Sequence, residues 1–157
     1  MSRAVSPVIG SVMLVLVTVG LVAALALVVH GGSMPTVQPD YTSLSATASS
    51  SGEIVLTHRG GKAIDVDEIR VLVLVEGEPL DLQPPVPFFS TEGFQPGPTG
   101  PFNVAADQNW TVGERASFVI AGSNAPSLSP GDRVRVEIVS HDRTLAVATA
   151  SVDGDAT

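Results

Sequence analysis

The sequence predicts a mainly β protein: one long N-terminal hydrophobic α-helix followed by an antiparallel, immunoglobulin-like β-sandwich head. Three observations carry this prediction. Residues 4–29 contain no charged side chain. Short runs rich in Val, Ile and Thr follow residue 40 and are separated by Gly and Pro turns. No segment after residue 35 has helical length or periodicity. We therefore expect a helix over residues 5–30, a neck linker over 31–40, an extracellular β-domain over 41–153 and a short tail over 154–157.

Composition excludes several classes of function. The chain of 157 residues has no cysteine, which removes disulfide frameworks, thiolate metal sites and cysteine nucleophiles. Sixteen acidic side chains against eight basic ones give a formal charge of −8. Binding of nucleic acid or anionic lipid headgroups requires a cationic face, so the head is not expected to bind either. The acidic excess, with arginine strongly preferred over lysine, also suits a halophile.

The apolar run is long enough to span a membrane. Residues 7–29 would rise about 35 Å as a helix, against a hydrocarbon core of about 30 Å. Ser6 is the predicted N-cap and Pro7 the first helical residue, because serine accepts from an orphan N–H and proline has none to satisfy. Arg3 favours a cytoplasmic N-terminus, which places everything after Gly31 outside the cell.

Three interpretations of this segment remain open on the residues alone. It can be a cleaved secretory signal, with Ala24-Leu25-Ala26 as the small-residue cleavage site, or a permanent membrane anchor. It can also be a short leader followed by an assembly helix that stays on the mature protein. A conventional signal has an apolar stretch of about 7–15 residues, so the length of this run disfavours the first interpretation.

The string that precedes and opens the helix resembles the N-terminal signature of archaeal type IV pilins, particularly those of haloarchaea. It reads Arg3-Ala4-Val5-Ser6-Pro7-Val8-Ile9-Gly10. The resemblance implies that a prepilin peptidase at the cytoplasmic membrane face cuts between Ala4 and Val5. The leader, residues 1–4, would be removed and the helix retained. The chain departs from bacterial type IV pilins, which carry a glutamate near the start of the mature helix.

The resemblance further implies self-association into a filament, with an assembly ATPase and membrane platform proteins as partners. In that family the helices of many copies pack into the filament core. Candidate packing positions here are Gly10, Gly20 and Ala24. Gly20 and Ala24 have the small-xxx-small spacing that lets helices approach closely. Ordinary membrane-helix composition accounts for the same residues.

The remainder of the chain predicts β-strands. We expect them at 41–48 and 53–58, forming a hairpin, at 68–76, near 116–121, and as a final pair at 133–140 and 144–152. Residues 54–64 and 128–136 resemble strand and turn segments of the pilin β-domain, though many sandwiches contain such turns. Residues 83–101 hold six prolines and three glycines and are excluded as a central strand. They are expected to be a long connection or a solvent-facing tip.

Few residues of the head are candidates for a modification, metal or catalytic site. Asn109-Trp110-Thr111 fits the N-glycosylation acceptor pattern, so Asn109 is a candidate modification site. A solvated acidic turn is expected where the acids Asp65, Asp67 and Glu68 cluster, because the ligand spacing of a calcium loop is missing. We expect His58 and His141 at the surface or at strand ends. No catalytic or cofactor motif occurs, so no enzymatic activity, no metal and no cofactor are expected.

The predicted function is therefore structural: a subunit of an archaeal pilus-like filament, inserted in the cytoplasmic membrane before assembly and displayed on the cell surface afterwards. The alternative is a monomeric, membrane-anchored extracellular binding module or a minor pilin. A third interpretation, an anchored hydrolase, requires a polar pocket that only the fold can reveal. The sequence leaves open whether such a filament serves adhesion or another role.

Overall fold

The computed structural model describes residues 6–31 and 42–154, and within the helix the side chains of residues 7–26. The chain divides between Gln38 and Pro39 into two compact units, a helix and a β-rich head. The predicted junction at Arg3, Ala4 and Val5 lies outside the described residues, as do most of the predicted neck and the last residues of the tail.

The helix, α1, extends over Ser6–Gly31. Its sequence is rich in β-branched residues, which are mediocre helix formers in water. In lipid, by contrast, a helix is the conformation that satisfies every backbone polar group within one segment. The described helix begins at Ser6, the predicted N-cap, and ends at Gly31, one residue beyond the predicted range of 5–30.

The head contains the predicted strands and several short ones. In chain order they are β1 (Ser43–Ser49), β2 (Glu53–Gly60), β3 (Ile64–Asp65), β4 (Ile69–Val75), β5 (Glu78–Pro79), β6 (Asn109–Trp110), β7 (Arg115–Val119), β8 (Arg133–Ser140) and β9 (Arg143–Asp153). Two short 3-10 turns lie at Val66–Glu68 and Gly100–Phe102.

Two-residue turns form the β8–β9 and β4–β5 hairpins. His141 and Asp142 between β8 and β9 have φ values of 48° and 62°, and Glu76 and Gly77 between β4 and β5 have 52° and 87°. Positive φ at both central residues gives the turn whose twist matches that of paired strands. Only Gly77 of these four residues has no Cβ to oppose that conformation.

Seven of the strands form one sheet in the order β5-β4-β8-β9-β1-β2-β7, and β3 pairs with β6 separately. All pairings between named strands are antiparallel except β1 with β9, which pair in parallel at Ala48 with Val152 and at Ser49 with Asp153. This short parallel contact joins a β7-β2-β1 half to a β9-β8-β4-β5 half.

The core lies between the two halves of this curled sheet. Alternate residues of β2, β4 and β8 are buried, and those on both halves belong to one hydrophobic cluster. The alternation reflects the two-residue period of strands. The prediction of a mainly β head behind one N-terminal helix is confirmed. The two layers expected of a sandwich are halves of a single sheet.

The proline-rich segment, residues 83–101, forms no strand, as predicted. It is nevertheless more than a surface connection, because Val86, Phe88 and Phe94 within it are buried. Phe94 meets Phe118 of β7 edge to face with ring centroids 5.6 Å apart, and Phe88 lies 5.8 Å from Phe94. The segment therefore supplies side chains to the core.

Gln83, at the start of that segment, forms hydrogen bonds with the backbone of β4 at Val73, in the place that a neighbouring strand would occupy. Its Oε1 accepts from the Val73 N–H at 2.7 Å, and its Nε2 donates to the Val73 and Leu80 carbonyls at 3.1 and 3.0 Å. Edge strands expose unpaired backbone groups, and here the amide side chain satisfies them.

We expect Gln83→Leu to lower the free energy of unfolding by about 1–3 kcal/mol, because the part-buried Val73 N–H would lose its acceptor. Urea denaturation followed by circular dichroism measures the change. Gln95→Leu is the matched control at an exposed position of the same segment. It should change stability by less than about 0.5 kcal/mol. Equal effects of the two substitutions would contradict a role of Gln83 at the β4 edge.

Candidate functional site

The surface of α1 is the most unusual feature of the described chain. Residues Pro7–Ala26 have a mean hydropathy of 2.7, and none of this stretch is buried. By length and composition it is the one helix among the described residues that is able to cross a membrane. Twelve large apolar side chains along it are exposed, from Val12 at 53% to Leu14 at 68%.

These side chains surround the helix instead of forming a stripe, and no acidic residue occurs in its first turn. A helix that is hydrophobic all round belongs in a protein core or in a membrane. Removing side chains of this size from water contributes about 1.5–3 kcal/mol each, so the set represents on the order of 20 kcal/mol. The helix therefore requires an apolar environment, which the described residues do not provide.

The two hydroxyl groups in the apolar stretch are satisfied within the helix. Ser11 Oγ donates to the Val8 carbonyl and Thr18 Oγ1 to the Val15 carbonyl, both at 2.9 Å. An unsatisfied hydroxyl in hydrocarbon costs several kcal/mol, whereas a hydroxyl bonded to its own helix avoids that cost. Ser11 and Thr18 are therefore compatible with lipid or with a packed helical environment.

The predicted packing positions lie on open surface. A Cβ added to Gly10 or Gly20 would meet nothing within 4 Å. Contacts within the described chain therefore do not explain the absence of a side chain at either position. Gly20 and Ala24 are one turn apart and share a face of α1, while Gly10 lies about 80° round the helix from Gly20.

The predicted leader junction is not among the residues described. Arg3, Ala4 and Val5 precede the first described residue, and of Ser6 only the backbone is described. Pro7 occupies the first turn of α1, where its missing N–H removes no hydrogen bond. The helix thus begins immediately after the predicted cleavage position.

Asn109, the candidate modification site, lies in β6 with an exposed side chain. Its N–H donates to Asp107 Oδ1 at 2.9 Å, and its backbone pairs with Asp65 of β3. The next residue, Trp110, is fully buried. Thr111, the third residue of the acceptor pattern, is exposed, and its N–H donates to Glu114 Oε2 at 2.7 Å.

The acidic cluster is a turn on the surface. Asp65, Asp67 and Glu68 are exposed, and Asp65 Oδ1 accepts from the Asp67 N–H at 3.0 Å to cap the short 3-10 turn. Within the described ranges, no group of three or more His, Cys, Asp or Glu side chains is arranged to hold a metal ion.

The expectation for one of the two histidines is wrong. His141 is exposed in the β8–β9 turn, but His58 is fully buried, with 0% of its surface exposed. Ile54, Leu56 and His58 alternate along β2, so all three point to the core face. This alternation was the sequence signal that would have predicted the burial of His58.

Burial lowers the pKa of His58 below its ordinary value of 6.5, because a desolvated ring disfavours the charged form. A hydrogen bond with the backbone of Lys62 and the charge of Glu114 raise the pKa by smaller amounts. Neither ring nitrogen has a hydrogen-bond partner of normal geometry in the described structure. His58 is therefore a buried polar group that favours the neutral form, and its contact with the Lys62 backbone falls short of a regular hydrogen bond.

Comparisons with protein-family models and with curated protein sequences give no match. Among solved structures, the chain is similar to one described as the archaeal flagellum of Methanospirillum hungatei strain JF1. The two are 14% identical with a TM-score of 0.40, over 92% of this chain and 93% of the other. A likeness of this degree assigns neither a fold nor a function to the chain.

Proposed function

We propose that this chain is a structural subunit of a surface filament of the archaeal type IV pilus class. The observation that carries the proposal is the surface of α1, which is apolar on all sides and entirely unburied. Lipid covers this surface before assembly, and the helices of other copies cover it in the filament. The acidic head faces water in both states.

The proposed route to the filament begins with prepilin peptidase, which removes residues 1–4 by cutting between Ala4 and Val5. The pilin-like string from Arg3 to Gly10 supports this step. The start of α1 at Ser6 supports it as well, because the cut would leave a chain that enters its helix almost at once. An assembly ATPase and membrane platform proteins would then extract the subunit from the cytoplasmic membrane into the filament.

The proposed role of the head is structural and not catalytic. Its buried polar side chains are His58, Ser117 and Asn124. Asn124 Nδ2 donates to the Leu82 carbonyl at 2.9 Å, and the Ser117 hydroxyl lies 2.7 Å from that of Thr99. Asn124 joins two loops and Ser117 joins a loop to β7, which is the ordinary use of a buried amide or hydroxyl.

We expect intact-mass measurement and N-terminal sequencing of the protein from cell membranes to give a terminus at Val5. Ala4→Phe should retain the leader, because a bulky side chain does not suit a pocket for a small residue, and Ala4→Gly is the matched control that should be cut. A terminus near Leu27 would mean a secreted head, and an uncut Met1 or Ser2 a permanent anchor. Either result would refute the proposed processing.

Gly20→Leu should reduce filament yield about tenfold or more while leaving the amount of subunit in the membrane unchanged. The added side chain separates helices that meet at the Gly20 and Ala24 face, and each 1.4 kcal/mol lost at an interface is a tenfold loss in association. Filaments sheared from cells and counted by electron microscopy provide the measurement.

Ala26→Leu is the control for this experiment, because it adds a similar bulk about 120° round the helix from Gly20. Equal yields from wild type and Gly20→Leu would show that this face forms no close contact. Absence of filaments from wild-type cells that contain the processed subunit would favour a monomeric anchored module.

We also propose that Asn109 carries an N-linked glycan. The exposure of the Asn109 side chain and of Thr111 supports this proposal, since both must be reached by a glycosyltransferase. Because Trp110 between them is buried, the acceptor pattern is most accessible before the head folds.

Mass spectrometry of the peptide that contains Asn109 should show added hexose-type mass on wild-type protein. Thr111→Ser should keep the modification, and Thr111→Ala should abolish it, because the acceptor pattern requires a hydroxyl residue. An unmodified Asn109 in protein recovered from the native cell surface would refute the proposal.

A further inference from the structure

The turn after β6 is hydrogen-bonded to the backbone of β2 at His58. The backbone N–H of His58 donates to the Glu114 carbonyl at 3.0 Å, and the His58 carbonyl accepts from the Gly113 N–H at 2.8 Å. The same Glu114 carbonyl accepts from Trp110 Nε1 at 3.1 Å. We call residues 110–114 the tryptophan turn. The backbone of this turn is therefore hydrogen-bonded to His58, and its indole is hydrogen-bonded to the same Glu114 carbonyl.

The His58 ring also packs against the anchor of this turn. The rings of His58 and Trp110 have centroids 5.8 Å apart at an interplanar angle of 48°. Trp110 in turn meets Phe102 edge to face at 5.2 Å, and both are fully buried. Any change that removes the His58 ring from the core therefore also removes one of the side chains that pack against Trp110.

The buried environment of His58 favours the neutral imidazole and disfavours the charged imidazolium. A protonated ring has two N–H donors, and apart from the irregular hydrogen bond with the Lys62 backbone the described residues offer its nitrogens no acceptor. Burying a charge without a partner is among the costliest changes a core can undergo. Water, in contrast, satisfies both donors once the ring is exposed.

Charged side chains on the neighbouring elements do not remove this cost. They are Glu114 and Arg115 beside β7, Lys62 after β2 and Asp65 in β3, whereas β1 and the Gly100–Phe102 turn carry none. Of these, Glu114 is the charge that acts on His58, and its carboxylate already accepts from the Thr111 N–H. Glu114 offsets part of the cost without contacting the ring.

We propose that His58 is a built-in acid sensor of the head: protonation of its ring expels it from the core and releases the tryptophan turn from β2. The device needs no ligand. The packing of residues 110–114 against β2 therefore depends on pH, and so does the position of the adjacent end of β7.

The direction of the pH dependence follows from the burial of the ring. The pKa of His58 is lower in the folded head than in an opened or unfolded chain, so the opened state binds more protons. The stabilisation is complete above pH 6.5 and is lost as the pH falls from 6.5 towards the lowered value. Within that window the opening equilibrium increases as the pH falls, by at most about tenfold per pH unit.

Trp110 is the single tryptophan of the chain, so its fluorescence reports on this site alone. We would unfold the full chain in mild detergent with urea at pH 7.5 and pH 5.0. The wild-type midpoint should be clearly lower at pH 5.0. His58→Leu, which keeps an apolar side chain in the space, should lose most of this difference. His141→Leu is the control at an exposed histidine and should behave as wild type.

An equal drop in midpoint for wild type and His58→Leu would overturn the proposal, because the pH dependence would then come from other groups. Titration of the wild-type ring by NMR tests it without any substitution. A His58 that titrates at or above pH 6.5 in the folded head would also overturn it.

Amide hydrogen exchange should accelerate at residues 110–116 before it does in β8 as the pH is lowered. Uniform acceleration would contradict a local release.

Discussion

The dominant constraint on this chain is the apolar surface of α1, which no other part of the described structure covers. Water cannot be the final environment of that surface, so lipid or other helices must provide it. The head is a compact unit by itself, closes its own core with its own residues and carries an acidic excess.

The head meets this requirement with a sheet that curls and with side chains from an irregular segment. The halves on either side of the short β1–β9 contact enclose the core, and residues 83–101 insert Phe88 and Phe94 beside Phe118. Proline-rich backbone makes only isolated bridges, as Thr99 does with Ser117 of β7, but it still covers the core. At β4, the side-chain amide of Gln83 takes the place of a neighbouring strand.

Local pattern was sufficient to predict the helix and the long strands, because alternation and apolar length are properties of adjacent residues. It did not predict what depends on distant partners. The parallel pairing of Ala48 with Val152 joins residues from opposite ends of the head, and the burial of Phe88 depends on where a loop folds back. His58 was assigned by residue type, although its position after Ile54 and Leu56 pointed inward. For the site, sequence identified Gly20 and Asn109, and the structure adds that both are on open surface.

The position of β1 has a mechanical consequence. It is the first strand after the helix in chain order, and it lies inside the sheet between β9 and β2. A pulling force transmitted along the chain from the helix would therefore enter the head at an interior strand. To separate β1, it would have to break the pairing with β2 and the short pairing with β9, whereas an edge strand has one neighbour. The order of strands thus favours a head that resists tension.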